Sequence, residues 1–323
     1  MKDRIVYLIP GSEIDPVSMV FAKRQVNDLS QYVEAEIYFI KSRLNPFSLM
    51  QDYINLLILC FKFRPNLIHA QYGTVTSFLG AMIPSVPLVM NLRGSDIDPS
   101  PRGGNFFRRN ISVFLSQFST VIAKKIILVS DHQAKKIFQS SKAVVIPSGV
   151  DLNLYQKASV DGIREELGWK KNALYIYFNA GKEPLNKRLD LAEYYFSELK
   201  KQFHNLNFIV LRGETSPELA CKMMGASDVV FMTSEREGSP NVVKEALALG
   251  VPVVAHEVGD VLQVLKLDKC STCVALGDED SFLASARKIL KDRPRGHANL
   301  ISLSSVTATN KILSVYSDVS KSC

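Results

Sequence analysis

Short runs rich in β-branched and aromatic residues punctuate the first half of the chain: RIVYLI (4–9), AEIYFI (35–40), NLIHA (66–70), PLVMNL (87–92), KIILVS (125–130) and AVVIP (143–147). Between most of them, apolar residues recur at helical spacing, as in VSMVFAKRQVNDL (17–29). Strands alternating with helices predict parallel βαβ units. The alternation pauses at the polar stretch 147–172, which begins with turn residues, and a domain boundary is expected there. It resumes with ALYIYFNAG (173–181), NFIVLRG (207–213), DVVFMTS (228–234), VPVVAH (251–256) and TCVAL (272–276). The pattern predicts an α/β protein of two Rossmann-like, doubly wound domains over residues 1–150 and 151–300. A C-terminal helix over 301–323 follows, free to cross back to the first domain. Ligands of such sheets bind at the carboxyl ends of the strands, so the cleft between the domains is the predicted site.

Composition changes this picture little. The chain has 323 residues, 46% hydrophobic and 22% charged, as a globular protein of two ordinary domains has. The apolar run at the N-terminus is cut by Pro10-Gly11 and reads as a first strand rather than a signal peptide. The longest apolar run, INLLILCF (54–61), is far too short to span a membrane. Five scattered cysteines suggest a reducing cytoplasm. Charge is more informative. Residues 1–150 hold 17 Lys and Arg against 10 Asp and Glu, whereas residues 151–323 hold 22 of each. The whole excess of +7 therefore lies in the first half. It suits an anionic partner there, or is ordinary solubilising charge.

The chemistry concentrates in EGSPNVVKEALALG (237–250). DVVFMTS reads as a buried strand and SEREGSPN as the loop beyond its carboxyl end. Ser239 is expected to cap a helix and Pro240 to occupy its first position, with Gly250 as its stop. The positive end of that helix suits a phosphate. Asn241 and Glu245 are four residues apart and share a face. A carboxylate one turn inside repels phosphate but accepts two hydroxyl hydrogen bonds from a ribose. Glu237, in the loop, can bind hydroxyls beyond the phosphates. Ribose, diphosphate and sugar together describe a nucleotide-diphospho sugar. The alternative is an amphipathic helix with a capped start and a solvated Glu245.

These residues resemble the E-x7-E motif of the glycosyl transferases group 1, the family 4 glycosyltransferases of GT-B fold, and the resemblance extends along nearly the whole chain. It implies a retaining glycosyltransferase that moves a sugar from a nucleotide-diphospho donor to a hydroxyl of a glycan or lipid-linked acceptor. By the resemblance, Glu237 contacts the donor sugar and Glu245 the ribose, while the backbone through Gly238, Ser239, Pro240, Asn241 and Val242 meets phosphates or sugar. AGKEPLNKRLDL (180–191) is similar to the family's basic pair, here Lys182 and Lys187 beside Gly181. That pair holds the diphosphate, and Lys182 stands where the family usually has Arg. Lys182, Lys187 and Glu237 are the expected catalytic residues. In the first half, IHAQYG (68–73) and NLRGSDID (91–98) resemble the family's strand-end segments. The expected acceptor-side residues are Gly11, His69, Tyr72, Arg93 and Asp96, with Arg93 at a position where the family commonly has His and able to hold an anionic group. IPSGVD (146–151) and VGDVLQVL (258–265) match the segments leading to the hinge and following the donor strand. The nearest pattern is that of bacterial enzymes of surface or exopolysaccharide biosynthesis.

Other motifs carry less. Asp96-Ile-Asp98 has a metal-binding D-x-D form but sits in the acceptor half, and no metal or other cofactor is expected. Cys270 and Cys273 have zinc spacing without a second ligand pair. No G-x-G-x-x-G follows the first strand, and no nucleic-acid partner is expected. Residues 108–125 place Ile111, Phe114, Leu115, Phe118 and Ile122 at helical spacings between basic pairs. This reads as a core-facing helix or as a peripheral helix on an anionic membrane surface at the inner face of the cell membrane. Rival functions on the same fold are a nucleotide-sugar epimerase and a non-catalytic binder of sugar nucleotides.

Overall fold

The structure, a computed structural model, describes residues 2–15, 18–41, 45–99, 105–156, 158–182 and 184–321. Val17 of the predicted first helix, Glu183 of the basic-pair segment, and Ser322 and Cys323 lie outside the described residues. The chain divides into two compact units, Met1–Gly149 with Ser305–Cys323, and Val150–Ser304. In chain order the first half runs β1 (Arg4–Pro10), α1 (Val20–Ser30), β2 (Glu34–Ile40), α2 (Pro46–Phe63), β3 (Leu67–Ala70), α3 (Thr74–Ala81), β4 (Leu88–Leu92), α4 (Phe106–Ile122), β5 (Lys125–Leu128) and β6 (Ala143–Val145). The second half runs α5 (Val160–Glu166), β7 (Leu174–Asn179), α6 (Pro184–Lys187), α7 (Leu189–Lys200), β8 (Leu206–Leu211), α8 (Pro217–Gly225), β9 (Val229–Met232), α9 (Asn241–Ala248), β10 (Val253–His256), α10 (Val261–Leu265), β11 (Thr272–Val274), α11 (Glu279–Asp292) and α12 (Ser305–Lys321). Each of the apolar runs read as a strand contains one.

The first unit holds a parallel sheet of order β2-β1-β3-β4-β5-β6. Strands β3 and β4 are buried throughout and β1 beyond Arg4, as expected of strands covered on both faces. Leu56 and Cys60 of α2, Val75 and Leu79 of α3 and the partly buried Leu115 of α4 share one core on one face of the sheet. Ala22 and Val26 of α1 share the core of the opposite face with Ala308, Ile312, Val315 and Tyr316 of α12. The buried positions of α12 recur every three or four residues, the spacing that turns one helical stripe inward. The C-terminal helix is thus part of the first unit.

The second unit holds a parallel sheet of order β11-β10-β9-β7-β8. The polar stretch read as a boundary contains α5, whose Arg164 is fully buried. Arg164 donates to Asp228 Oδ2 at 2.8 Å and to the carbonyls of Ala226, Lys171 and Ala173. Asp228 also accepts from the Tyr175 amide at 2.8 Å and from Arg293 at 2.9 Å. A buried ion pair is tolerable only when its remaining hydrogen-bonding groups are filled, as they are here. This network ties the amino end of β9 to α5. Among the described residues, no helix is long and apolar enough to cross a membrane.

Candidate functional site

Strand order sets the geometry of the second unit. From β7 the chain runs to β8 on one side, then returns to β9 on the other. The two crossovers diverge at the carboxyl ends of β7 and β9, the position where doubly wound sheets bind ligands. The loop after β7 carries Gly181 and Lys182, and Lys187 ends the short α6 that follows. The loop after β9 carries Glu237. The structure brings Lys187 and Glu237 together there as an ion pair between Nζ and Oε1. Both are partly shielded, the Lys187 side chain 30% exposed and that of Glu237 16%.

Residues that sequence reasoning missed hold this pair in place. Thr233, at the exit of β9, donates its hydroxyl to the carbonyls of Lys187 and Arg188 at 2.8 and 2.9 Å. Arg188, in the left-handed region at φ 54°, bonds Glu235 at 2.6 Å and Asp190 at 2.9–3.0 Å. The β7 loop is thereby pinned to the β9 loop on both sides of Lys187. From the other flank, Gly259 (φ +58°) lies against the turn that bears Glu237. A Cβ there would stand 2.5 Å from the Gly238 carbonyl oxygen and 2.7 Å from that of Glu237. Its neighbour Asp260 accepts the Ser239 hydroxyl at 2.5 Å. The fully buried Lys244 of α9 donates to Ser239 Oγ at 3.1 Å. Burial pushes the Asp260 carboxyl upward, while Ser239 and the Lys244 charge pull it back. The signals for these residues were faint: Thr233, Arg188 and Glu235 stand beside quoted motif residues, but their partners lie about fifty residues away in sequence.

Two expectations about the helix are corrected. Ser239 does not cap it, because its hydroxyl is engaged by Asp260 and Lys244. Pro240 stands at the N-cap position rather than inside, and Asn241 opens α9. The stop at Gly250 holds: at φ +71° it lets the Val251 amide reach the Ala246 carbonyl at 2.9 Å and its own amide reach Leu247 at 3.0 Å. That is a Schellman closure, for which a glycine is favoured. At the other end, the first-turn amides of any helix lack intrahelical partners, so the backbone from Asn241 through Val242 presents donors at the Glu237 turn. The buried Oδ1 of Asn241 has no hydrogen-bond partner within the described residues. Glu245 is half-buried one turn on, close enough to Tyr177 and Cys221 to add to the upward push that burial gives both, Cys221 reaching about 11. Lys182 is exposed beside Gly213, where an added Cβ would meet Lys182 Cγ at 3.3 Å. Gly181, at φ +55°, donates to Asn179 Oδ1 at 3.1 Å and lets the chain turn between strand and basic pair.

The acceptor-side expectations divide. In the first unit the strand order reverses between β1 and β3. Gly11 (φ +111°) leaves β1 there, its amide on the Ile40 carbonyl at 2.9 Å. Tyr72, half-buried after β3, shares a 2.7 Å hydrogen bond with Ser95. Arg93 donates to Ser148 at 2.8 Å, Gln25 at 2.9 Å and Gln71 at 2.7 Å, and lies 4.8 Å over the Phe21 ring. Burial lowers its pKa to about 10, with Asp96 opposing. His69 and Asp96 are fully buried and cannot touch an acceptor directly. His69 sits between Tyr7 and Tyr316, with Nδ1 2.5 Å from the Tyr316 hydroxyl. Asp96 accepts from the amides of Gly73, Arg93 and Gly94 at 2.9–3.0 Å, clamping the loops after β3 and β4. Spacing along a strand could not tell an upward residue at the strand end from an inward one.

Burial, aided by the Arg93 charge, holds the His69 imidazole at a pKa of about 3, against an ordinary 6.5. Above 6.5 the ring is neutral folded or unfolded. As pH falls from there towards 3, only the unfolded chain takes up the proton, so stability is lost across that window. We expect His69→Gln to remove about 2 kcal/mol of the pH dependence between roughly pH 7 and 5, read from chemical unfolding midpoints. His132 and His256 are lowered too, by burial first, so the difference between wild type and variant is the measurement.

Residues 191–302 match the family model of glycosyl transferases group 1. TuaC of Bacillus subtilis (strain 168), named as a teichuronic acid biosynthesis glycosyltransferase, is 28% identical over 61% of this chain and 54% of its own length. The chain thus spans just over half of that relative. The Escherichia coli UDP-Gal:alpha-D-GlcNAc-diphosphoundecaprenol alpha-1,3-galactosyltransferase is 22% identical over 97% of this chain and 88% of its own. Anabaena Alr3699/HepE, crystallised with UDP-glucose, has the same fold, with TM-score 0.64, 18% identity, and 98% and 99% of the two chains covered.

Proposed function

We propose that this protein, whose residues 191–302 match the family model of glycosyl transferases group 1, moves a sugar from a nucleotide-diphospho donor to a glycan or lipid-linked hydroxyl, with retention, in the building of a surface or secreted polysaccharide. The observation that carries the reading is the meeting of Lys187 and Glu237 at the switch point of the second sheet, against the start of α9. There Lys187 meets the Glu237 carboxylate three residues ahead of Pro240, the N-cap of α9, while Lys182 stands exposed beside Gly213. A diphosphate suits the cations and amides, and hydroxyls suit the carboxylates. Glu245 takes the ribose hydroxyls and Glu237 those of the sugar.

In the step we propose, the acceptor oxygen attacks the anomeric carbon on the face the donor phosphate leaves. The C–O bond to the acceptor forms as the C–O bond to the diphosphate breaks. The electron pair goes to the diphosphate, where Lys182, Lys187 and the α9 amides stabilise it, and the acceptor proton passes to the departing phosphate oxygen. No protein base is required and no metal is invoked. Glu237 and Asp260, through Ser239, set the pose of the sugar. Tyr72, Gly11 and Arg93 of the first unit are the residues we assign to the acceptor, with His69 and Asp96 supporting them from beneath.

The test begins with thermal shift against a panel of nucleotide sugars. UDP-sugars come first, since UDP-glucose is in the Anabaena complex and UDP-Gal is in the name of the Escherichia coli enzyme. A stabilising donor should then release its nucleotide only when acceptor is added, and product NMR should show the donor's anomeric configuration. Donor consumption without acceptor would favour the epimerase instead. Glu245→Ala should weaken nucleotide binding about tenfold by calorimetry while leaving turnover at saturating donor near wild type. Equal affinity would remove the ribose role.

A further inference from the structure

The helix α4 is inside out. Its buried side chains are Ser116, Gln117, Ser119 and Thr120. Its exposed ones include Phe106, Phe107, Ile111, Phe114, Phe118 and Ile122. A surface helix ordinarily buries its apolar stripe. Here hydrogen bonds fix the opposite rotation. Ser116 donates to the Asp96 carbonyl at 2.8 Å and accepts the Thr74 amide at 2.7 Å. Gln117 bonds the Lys136 carbonyl at 2.6 Å and the Phe138 amide at 3.0 Å. Turning α4 over would strand these groups and drive Phe114 into the space beside Gly73, where Ser116 already fits closely. Of the five apolar positions read in residues 108–125, Leu115 packs on the core, whereas Ile111, Phe114, Phe118 and Ile122 face outward, which corrects the core-facing reading for those four.

A second stripe lies on the same helical layer. In α2, Phe47, Met50, Ile54, Ile58 and Phe61 are exposed at intervals of three or four residues. Both helices pack over the same face of the sheet, and Tyr53 of α2 reaches the Met82 carbonyl beyond α3 at 3.3 Å. Six of the seven exposed phenylalanines among the described residues belong to α2 and α4. Exposed apolar stripes on two helices of one layer mark an interaction site. Its charge is one-sided. Across both helices the only carboxylate is Asp52, which is buried and holds the Tyr38 hydroxyl at 2.8 Å. Lys62 and Arg64 end α2, Arg108 and Arg109 begin α4, and Lys124 and Lys125 follow it.

We propose that the outward face of α2 and α4 seats the first unit on an anionic lipid bilayer, phenylalanines in the acyl boundary and the flanking cations at the headgroups. Aromatic and aliphatic side chains flanked by lysine and arginine, with no exposed carboxylate on either helix, match that surface and disfavour a basic or wholly polar partner. The proposal does not rest on the transfer reading, since none of the donor-site residues lies on either helix.

The full chain is mixed with vesicles of phosphatidylcholine alone or with phosphatidylglycerol added, and binding is read by flotation. We expect binding at least about tenfold stronger to the anionic vesicles, weakening as salt is raised. Phe61→Glu and Phe114→Glu should together abolish it, with circular dichroism and nucleotide-sugar stabilisation unchanged. Both positions are exposed, so the fold does not depend on them. Glu237→Ala should bind vesicles as wild type does. Absence of binding to anionic vesicles overturns the proposal, as does binding that the paired substitutions leave intact. A dimer in light scattering, dispersed by those substitutions in a chain that ignores vesicles, also overturns it and assigns the face to a second copy.

Discussion

Glu237→Ala is expected to reduce acceptor-dependent transfer by about a hundredfold or more while the protein stays folded. The carboxylate sits in a loop, 16% exposed, and its protein partner is Lys187. Loss of a partly shielded ion pair costs about 1 kcal/mol or less, too little to unfold a domain. The rate effect is larger because orientation of the sugar enters the transition state directly. Glu237→Gln separates the two roles of the carboxylate. It keeps hydrogen bonding to hydroxyls but loses the charge that places Lys187, so an intermediate rate is expected. Turnover within a factor of about two of wild type in Glu237→Ala, at saturating donor and acceptor, would sink the donor-sugar role.

Gly259→Ala should be as damaging, although it adds one methyl to a residue that bears no chemistry. At φ +58° an L residue is strained, and the new Cβ would meet the carbonyl oxygens of Gly238 and Glu237 well inside contact distance. Backbone cannot swing aside as a flexible side chain can, so the turn carrying Glu237 must shift. A displacement of about 1 Å there is expected to lower transfer by around a hundredfold, with a stability loss of about 1–3 kcal/mol. Gly277→Ala is the control. Its φ is +89°, yet nothing lies within 4 Å of the added carbon. It should cost about 1 kcal/mol and leave transfer intact. If the two variants behave alike in activity, the packing of Gly259 on the turn does not govern the site.

The strands were legible because a parallel strand covered on both faces must be apolar along its length, and each predicted run contains one. The Glu237 turn was legible because a loop beyond a buried strand, a helix start and a Gly stop each leave local marks. The error at Ser239 shows the limit of local reasoning. A serine ahead of a helix is a good cap in isolation, but Asp260, twenty-one residues on, takes its hydroxyl. His69 and Asp96 fail for a related reason. Both stand at strand ends, where ligands bind, yet their side chains turn down into α12 and across to Gly73.

By itself the sequence determined the alternation of strands and helices, and through the family resemblance it singled out the two glutamates and two lysines of the proposed donor site. The alternation follows from periodicity, which is local. Only the tertiary structure decided that Thr233 and Arg188 deliver Lys187 to Glu237, that Gly259 sets the height of the turn, and that α4 faces its phenylalanines outward. Each of these depends on hydrogen bonds or contacts between residues far apart in the chain, whose energies no local pattern records.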